Sequence, residues 1–197
     1  MKKSGKRTDP NSPKENGASS FIDAISQFET SAGGDSETLR DAAIATAASN
    51  SQNARAQRYK VAFLCHSHHD RTIVEGLIQL FKEEKVHLYV DWLYSEMPET
   101  TNGETAKKIK NKIIEADMFL FLATPNSLAS RWCPWEIGYA YGVKQHERIL
   151  VIPTNEHGKK YGNEYVDIYR RLDRASDGNL AAWYPVSSTN GTYARFL

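Results

Sequence analysis

Apolar positions are sparse and scattered as far as residue 58, then condense into short runs separated by stretches of helical period. Four runs read as strands: Lys60 to Cys65 (KVAFLC), Val86 to Asp91 (VHLYVD), Met118 to Ala123 (MFLFLA) and Arg148 to Pro153 (RILVIP). The first, third and fourth are almost continuously apolar, which suits strands covered on both faces. Between them, Asp70 to Glu84 sets Ile73, Val74, Leu77, Ile78 and Phe81 at helical spacing, Glu104 to Glu115 does the same with Ala106, Ile109 and Ile113, and Trp132 to Val143 is a third helix. This alternation predicts an α/β domain with a central parallel sheet of four to five strands, right-handed crossovers, and helices on both faces. Ala181 to Val186 is the candidate fifth strand. In such sheets ligands bind at the carboxyl ends of the strands.

The amino-terminal part has a different character. Of the 21 aromatic residues only Phe21 and Phe28 precede Tyr59. Residues 1–20, rich in Lys, Ser, Gly, Asn and Pro, have little to bury and are expected to form a disordered polar tail. Residues 21–58 carry weak helical patterning, with Phe21, Ile25 and Phe28 on one face and Leu39, Ala42, Ala43 and Ala47 following Gly33-Gly34. They read as a partly helical extension to a domain spanning 59–197.

Charge and cysteine content remove several classes. Lysine and arginine number 25 against 24 aspartates and glutamates, so no global field draws the chain onto nucleic acid or an anionic membrane. The longest apolar run, Met118 to Ala123, is far below the roughly 20 residues that span a bilayer, and no export signal follows the basic amino terminus. Two cysteines, Cys65 and Cys133, make neither a stapled scaffold nor a CxxC pair, which fits a reducing cytoplasm.

Three loops carry candidate chemistry. The exit of the first strand reads Cys65-His66-Ser67-His68-His69-Asp70. Its clustered imidazoles suggest zinc, but no downstream pair supplies the remaining ligands, so the favoured reading is a turn in which Ser67 or Asp70 caps the next helix. The turn has no GxGxxG, GxxxxGK[ST] or GxSxG pattern, which disfavours a Rossmann dehydrogenase, a P-loop NTPase and an α/β-hydrolase. The second loop opens on Asp91-Trp92, where Trp92 either stacks on an aromatic ring of a ligand or packs on the rim. The third, Ser130-Arg131-Trp132-Cys133-Pro134-Trp135-Glu136, reads as a helix start. Glu136 then falls near the positive end of the helix dipole, and Trp132, Glu136 and Tyr139 share a face by spacing. An aromatic wall beside one carboxylate suits a cationic heteroaromatic ligand.

VAFLCHSHHD, the strand ending YVDW and above all Ser130-x-Trp132-Cys133-x-x-Glu136 together resemble the TIR (Toll/interleukin-1 receptor) domain family. Met97-Pro98-Glu99-Thr100 and Trp135-Glu136-Ile137-Gly138-Tyr139 look like the bacterial branch tied to antiphage (Thoeris-like) defence. The resemblance implies a flavodoxin-like TIR fold and cleavage of NAD+ at the nicotinamide–ribose bond, with NAD+ as substrate and no separate cofactor or metal. It implies Glu136 as catalytic residue and Trp132, Ser67 and Asp91 at the substrate, joined here by His66 and Trp92. It further implies that the second loop gates the site and contacts a neighbouring TIR protomer, so self-association is expected.

Because nicotinamide leaves from a cationic glycoside, the reaction needs little general acid, and one carboxylate suffices to stabilise an oxocarbenium-like sugar. Water would then give ADP-ribose, whereas an adenine nitrogen or a ribose hydroxyl of the same molecule would give a cyclic isomer. If Trp132 holds the adenine folded back, proximity favours the cyclic product. Two rival readings are a non-catalytic TIR module acting by homotypic association and a nucleoside deoxyribosyltransferase-like enzyme.

Overall fold

Five strands in parallel carry the core. The computed structural model describes residues 13–14, 53–91, 103–156, 158–185 and 191–197. Trp92 with the rest of the expected second loop, and the helical stretches expected before residue 52, lie outside the described residues. In chain order the elements are β1 (Lys60–Cys65), α1 (Arg71–Glu83), β2 (Val86–Tyr89), α2 (Gly103–Glu115), β3 (Met118–Ala123), α3 (Pro125–Ala129) and α4 (Cys133–Val143). There follow β4 (Ile149–Glu156), β5 (Lys159–Tyr161), α5 (Asn163–Val166), β6 (Arg170–Arg174), β7 (Leu180–Trp183) and β8 (Gly191–Tyr193).

The sheet runs β2-β1-β3-β4-β6-β7-β8, with β5 paired to β4. Every pairing from β2 to β6 is parallel, while β5, β7 and β8 pair antiparallel. All six residues of β3 are buried. Since successive side chains point to opposite faces, both faces of this strand are covered. Phe63 stacks between Tyr89 and Phe119, each 5.7 Å away, so one aromatic row crosses β2, β1 and β3. Helix α1 buries Val74, Leu77, Leu80 and Phe81, at the spacing its sequence predicts, and α2 packs beside α4.

The α/β expectation holds, with one correction to the strands. Ala181–Val186 was expected to complete the parallel sheet, but that place belongs to Arg170–Arg174, and Leu180–Trp183 is the next strand, running antiparallel. The sequence RRLDR hides the strand because four of its five residues are charged. The Arg170 guanidinium donates to the Ala182 carbonyl at 3.2 Å and lies 4.5 Å from the Tyr184 ring centre, Arg171 pairs with Asp173 at 3.6 Å, and Leu172 alone is fully apolar and buried.

The antiparallel edge is tied back to the turn between α1 and β2. Glu84, buried, accepts from the Leu180 N–H at 2.9 Å and faces Arg195 at 3.5 Å. Two segments ahead of the expected domain start also pack on it. Ala54, in a helical turn over 53–56, is buried, and the neighbouring Arg55 donates to the Glu115 carbonyl. Pro13, within the stretch that composition assigns to solvent, is buried, and the Lys14 carbonyl accepts from the Ser176 N–H at 2.8 Å. Among the described residues no helix is long and apolar enough to cross a membrane.

Candidate active site

The carboxyl ends of β1, β2 and β3 and the start of α4 meet at one edge of the sheet. The Ser130 hydroxyl accepts from the N–H groups of Trp132 at 3.1 Å and Cys133 at 3.3 Å, which satisfies donors that the first turn of α4 leaves open. Pro134 sits in that turn, where a missing N–H costs nothing. The Glu136 N–H donates to the Trp132 carbonyl at 2.8 Å. The helix start expected at Ser130 to Pro134 is therefore present, with the serine as its side-chain cap.

Glu136 points inward and is 6 % exposed. Burial above all, then the neighbouring Cys133 and Asp91, push its carboxyl well above the usual carboxylate range, and a hydrogen bond from the Cys65 thiol pulls the other way. Asp91 and Asp70 both bear electrostatically on Cys133, so three carboxyl groups gather at this edge. Such a site repels anions and favours a cation.

Trp132 is half-buried and precedes the helix. Its ring meets Trp135 edge-on at 5.2 Å, Trp135 stacks on Tyr139 at 6.0 Å, and the Lys110 ammonium sits 5.7 and 5.3 Å from those two rings. Trp132, Trp135 and Tyr139 thus form one aromatic cluster, which Tyr139 joins through Trp135. Glu136 turns into the core from an adjacent position of the same helix.

Around the first strand exit the structure separates the expected residues. Ser67, buried, accepts from the His69 N–H at 3.3 Å and caps the short 3-10 turn His68–Asp70. His66 has a side chain only 3 % exposed: its Nδ1 lies 2.9 Å from the Leu64 carbonyl and its Nε2 3.6 Å from Asp91, whose side chain is 42 % exposed. A carbonyl can only accept, so the Nδ1–H donates to it while Nε2 faces Asp91. His66 thereby props Asp91 from below and lies away from the surface. His68 and His69 lie ring against ring, 4.0 Å apart, on the exposed side of the turn.

Asp70 was weighed as a helix cap, yet its side chain makes no capping bond to α1. It reaches across to the end of β3, accepting from the Thr124 hydroxyl at 2.5 Å and from the Asn126 amide at 2.6 Å. Thr124 in turn caps α3 in a reciprocal box with Ser127. This buried network locks the β1 exit to the β3 exit, beneath the candidate site. Asp70→Asn is expected to cost about 1–2 kcal/mol, because an amide turns one donor toward the Asn126 donor and loses the charge-assisted bond. Thermal melts read it as a Tm lower by roughly 2–8 °C; an unchanged Tm would show the network to be dispensable.

The sequence gives no sign that the two cysteines meet here. Cys65 and Cys133 are both free and buried. The Cys65 thiol lies 3.7 Å from the Cys133 carbonyl and the Cys133 thiol 3.3 Å from the His66 carbonyl. Cys65 ends a strand and Cys133 stands three residues before Glu136.

The chain is also similar in sequence to known proteins. A family profile described as TIR domain matches residues 62–179. A Bacillus cereus (strain MSX-D12) protein provisionally named 3′ cyclic ADP-D-ribose synthase ThsB′ is 31 % identical over 140 residues, covering 68 % of this chain and 72 % of its own. A Cytobacillus dafuensis protein provisionally named cyclic ADP-D-ribose synthase TIR2 is 26 % identical over 93 residues, covering 46 % of this chain and 24 % of its own length.

Proposed function

Because the chain belongs to the TIR domain family, we propose that it cleaves NAD+ at the nicotinamide–ribose bond and closes the remaining ADP-ribose into a cyclic isomer. The observation that carries the reading is Glu136, a buried carboxyl in the first turn of α4, at the strand edge beside Trp132 and two further acidic groups. The names of both relatives, as cyclic ADP-ribose synthases, support closure over simple hydrolysis.

In this reading the cationic nicotinamide ring enters the acidic edge and the C1–N bond of the ribose breaks. Nicotinamide leaves with the bonding electron pair and becomes neutral, so no proton donor is needed. The positive charge passes to the ribosyl oxocarbenium, which the Glu136 carboxylate stabilises. Trp132 flanks the leaving group and holds the adenosine half near C1, where an adenine nitrogen or a ribose hydroxyl of the same molecule bonds to C1 and closes the ring, one proton passing to water. Asp91, propped by His66, and Ser67 line the ribose side. Trp92 and loop 92–102 are assigned to gating and to self-association with a second TIR protomer, and the released product to bacterial antiphage signalling in the cytoplasm.

The test is to incubate concentrated protein with NAD+ and separate products by chromatography with mass detection. Nicotinamide together with a cyclic ADP-ribose isomer is the expected outcome. ADP-ribose alone would make the protein a glycohydrolase, and absence of nicotinamide with assembly confirmed by light scattering would favour a non-catalytic scaffold. A deoxyribosyltransferase-like enzyme would cleave deoxynucleosides and leave NAD+ intact.

The raised affinity of Glu136 for its proton also predicts the pH dependence. Catalysis requires the carboxylate, so the rate rises with pH through the carboxyl's titration. A bound nicotinamide cation favours the ionised form and lowers that titration point. Since kcat/KM reports the free protein and kcat the complex, the acid limb of kcat/KM is expected at higher pH than that of kcat. Coincident limbs would remove either Glu136 or the cation beside it.

A further inference from the structure

Trp132 is the N-cap residue of α4 and is half-buried, so part of its indole surface stays open to a ligand. A side chain at a helix start has several staggered rotamers open to it, and closing NAD+ into a ring needs the indole in one of them. Trp135 supplies the restraint. Three residues on, it stands above Trp132 on the same side of the helix. Its ring meets that of Trp132 at 5.2 Å with 84° between the planes, the edge-to-face arrangement that aromatic quadrupoles favour. Trp135 is itself held from two directions. It stacks on Tyr139, one turn further along α4, at 6.0 Å and 16°. Lys110, on α2, places its ammonium 5.7 Å from the Trp135 ring centre and 5.3 Å from that of Tyr139, which ties the pair to a second helix. All three aromatic side chains also pack against the main core.

We infer that Trp135 is a positioning residue for Trp132, its perpendicular ring holding the indole where it keeps the adenosine half of NAD+ folded back, with Tyr139 and Lys110 fixing Trp135 in turn. The consequence is for the product. Once nicotinamide has left with its electron pair, the ribosyl C1 is bonded either by a nucleophile of the same molecule, giving a cyclic isomer, or by water, giving ADP-ribose. Each route releases one proton to solvent. A braced Trp132 raises the local concentration of the internal nucleophile and favours closure. An unbraced one leaves C1 to water. Trp135 acts only through the ring it faces, so its effect depends on Trp132 being present.

This inference rests on the proposed NAD+ cleavage and closure, and the experiment separates them. Parent, Trp135→Ala, Trp135→Phe, Tyr139→Ala, Trp132→Ala and the Trp132→Ala/Trp135→Ala double variant are incubated with NAD+, and the ratio of cyclic isomer to ADP-ribose is measured. A ratio is independent of how much of each variant is folded. In parallel the indole N–H resonances are recorded by NMR without NAD+, that of Trp132 being identified by its loss in Trp132→Ala. Trp135→Ala is expected to lower the ratio about 2- to 10-fold, the weight of one edge-to-face aromatic pair. Trp135→Phe, which keeps a ring edge, should retain most of it, and Tyr139→Ala should fall between. With Trp132 already replaced, Trp135→Ala should change the ratio no further. Tyr139→Ala removes the ring behind Trp135 and should shift or broaden the Trp132 resonance. A parental ratio in Trp135→Ala, or the same further fall in the double variant as in the single one, would overturn the inference even if NAD+ is cleaved. If the parent releases no nicotinamide or gives ADP-ribose alone, the proposed closure fails and the resonance decides the brace: unmoved in Tyr139→Ala it is overturned, moved it is upheld.

Discussion

Glu136→Gln is expected to abolish nicotinamide release while leaving the protein as stable as its parent at low pH and more stable above neutrality. The substitution preserves size and hydrogen-bonding shape, so Cys65, Cys133 and the first turn of α4 keep their places. What disappears is the negative charge that the oxocarbenium needs at a site shielded from water. Removing one preorganised electrostatic group of this kind costs roughly 10²–10³ in kcat, and here no second carboxylate shares the role, so the loss is expected at or beyond the upper end. The stability effect follows from the direction of the carboxyl's shift. Its folded-state proton affinity is raised, chiefly by burial, so its contribution to stability is complete below the unfolded carboxyl's titration and is lost as pH rises through the folded one. Glutamine has no proton to lose. The difference in Tm between variant and parent should therefore grow in the variant's favour as pH rises above the unfolded carboxyl's titration and through the folded one. Full nicotinamide release by Glu136→Gln would remove the residue from the chemistry, and a difference that shrinks with pH would contradict its buried, neutral state.

The second large effect is expected from Gly162→Ala. Gly162 lies between β5 and α5 with φ +88°, and a Cβ placed there would stand 2.6 Å from the Cβ of Ala123 and 3.4 Å from Val151. Ala123 ends β3 in the fully buried centre of the sheet, and its carbonyl accepts from the Thr154 hydroxyl at 2.6 Å, so it has no room to retreat. A left-handed backbone costs an L-residue about 1–2 kcal/mol and an extra methyl in a tight core about 1–3, so the variant should lose roughly 2–5 kcal/mol. That corresponds to a Tm lower by roughly 5–15 °C. Gly158→Ala is the control: its φ is +81°, yet nothing lies within 4 Å of its added Cβ, so it should lose only the backbone part. Equal losses at the two positions would show that the close approach to Ala123 is unimportant.

The parts of this protein legible in advance are those in which a residue's neighbours along the chain decide its place. KVAFLC, MFLFLA and the apolar core of RILVIP are buried on both faces wherever they pair, and Ser130 followed by Pro134 announces a helix start through backbone donors only a few residues away. Glu136 was legible for the same reason, being fixed to its helix turn. His66 shows the limit: its place in the chain put it among the substrate contacts, but whether its ring faces solvent or Asp91 depends on where the end of β2 lies.

Sequence alone thus determined the α/β class, the four successive strands β1 to β4 along the chain, and the helix turn that carries Glu136. Tertiary structure alone decided that RRLDR is the fifth parallel strand, that Asp70 reaches Thr124 across 54 residues, and that Cys65 and Cys133 meet across 68. Periodicity encodes which side of an element is buried. It does not encode which element covers that side or in what register, and here the pairing of Cys65 with Phe121 brings the ends of β1 and β3 level beneath the start of α4. The charge state of Glu136 belongs to the same category, because burial by distant residues, and not its local sequence, raises its hold on a proton.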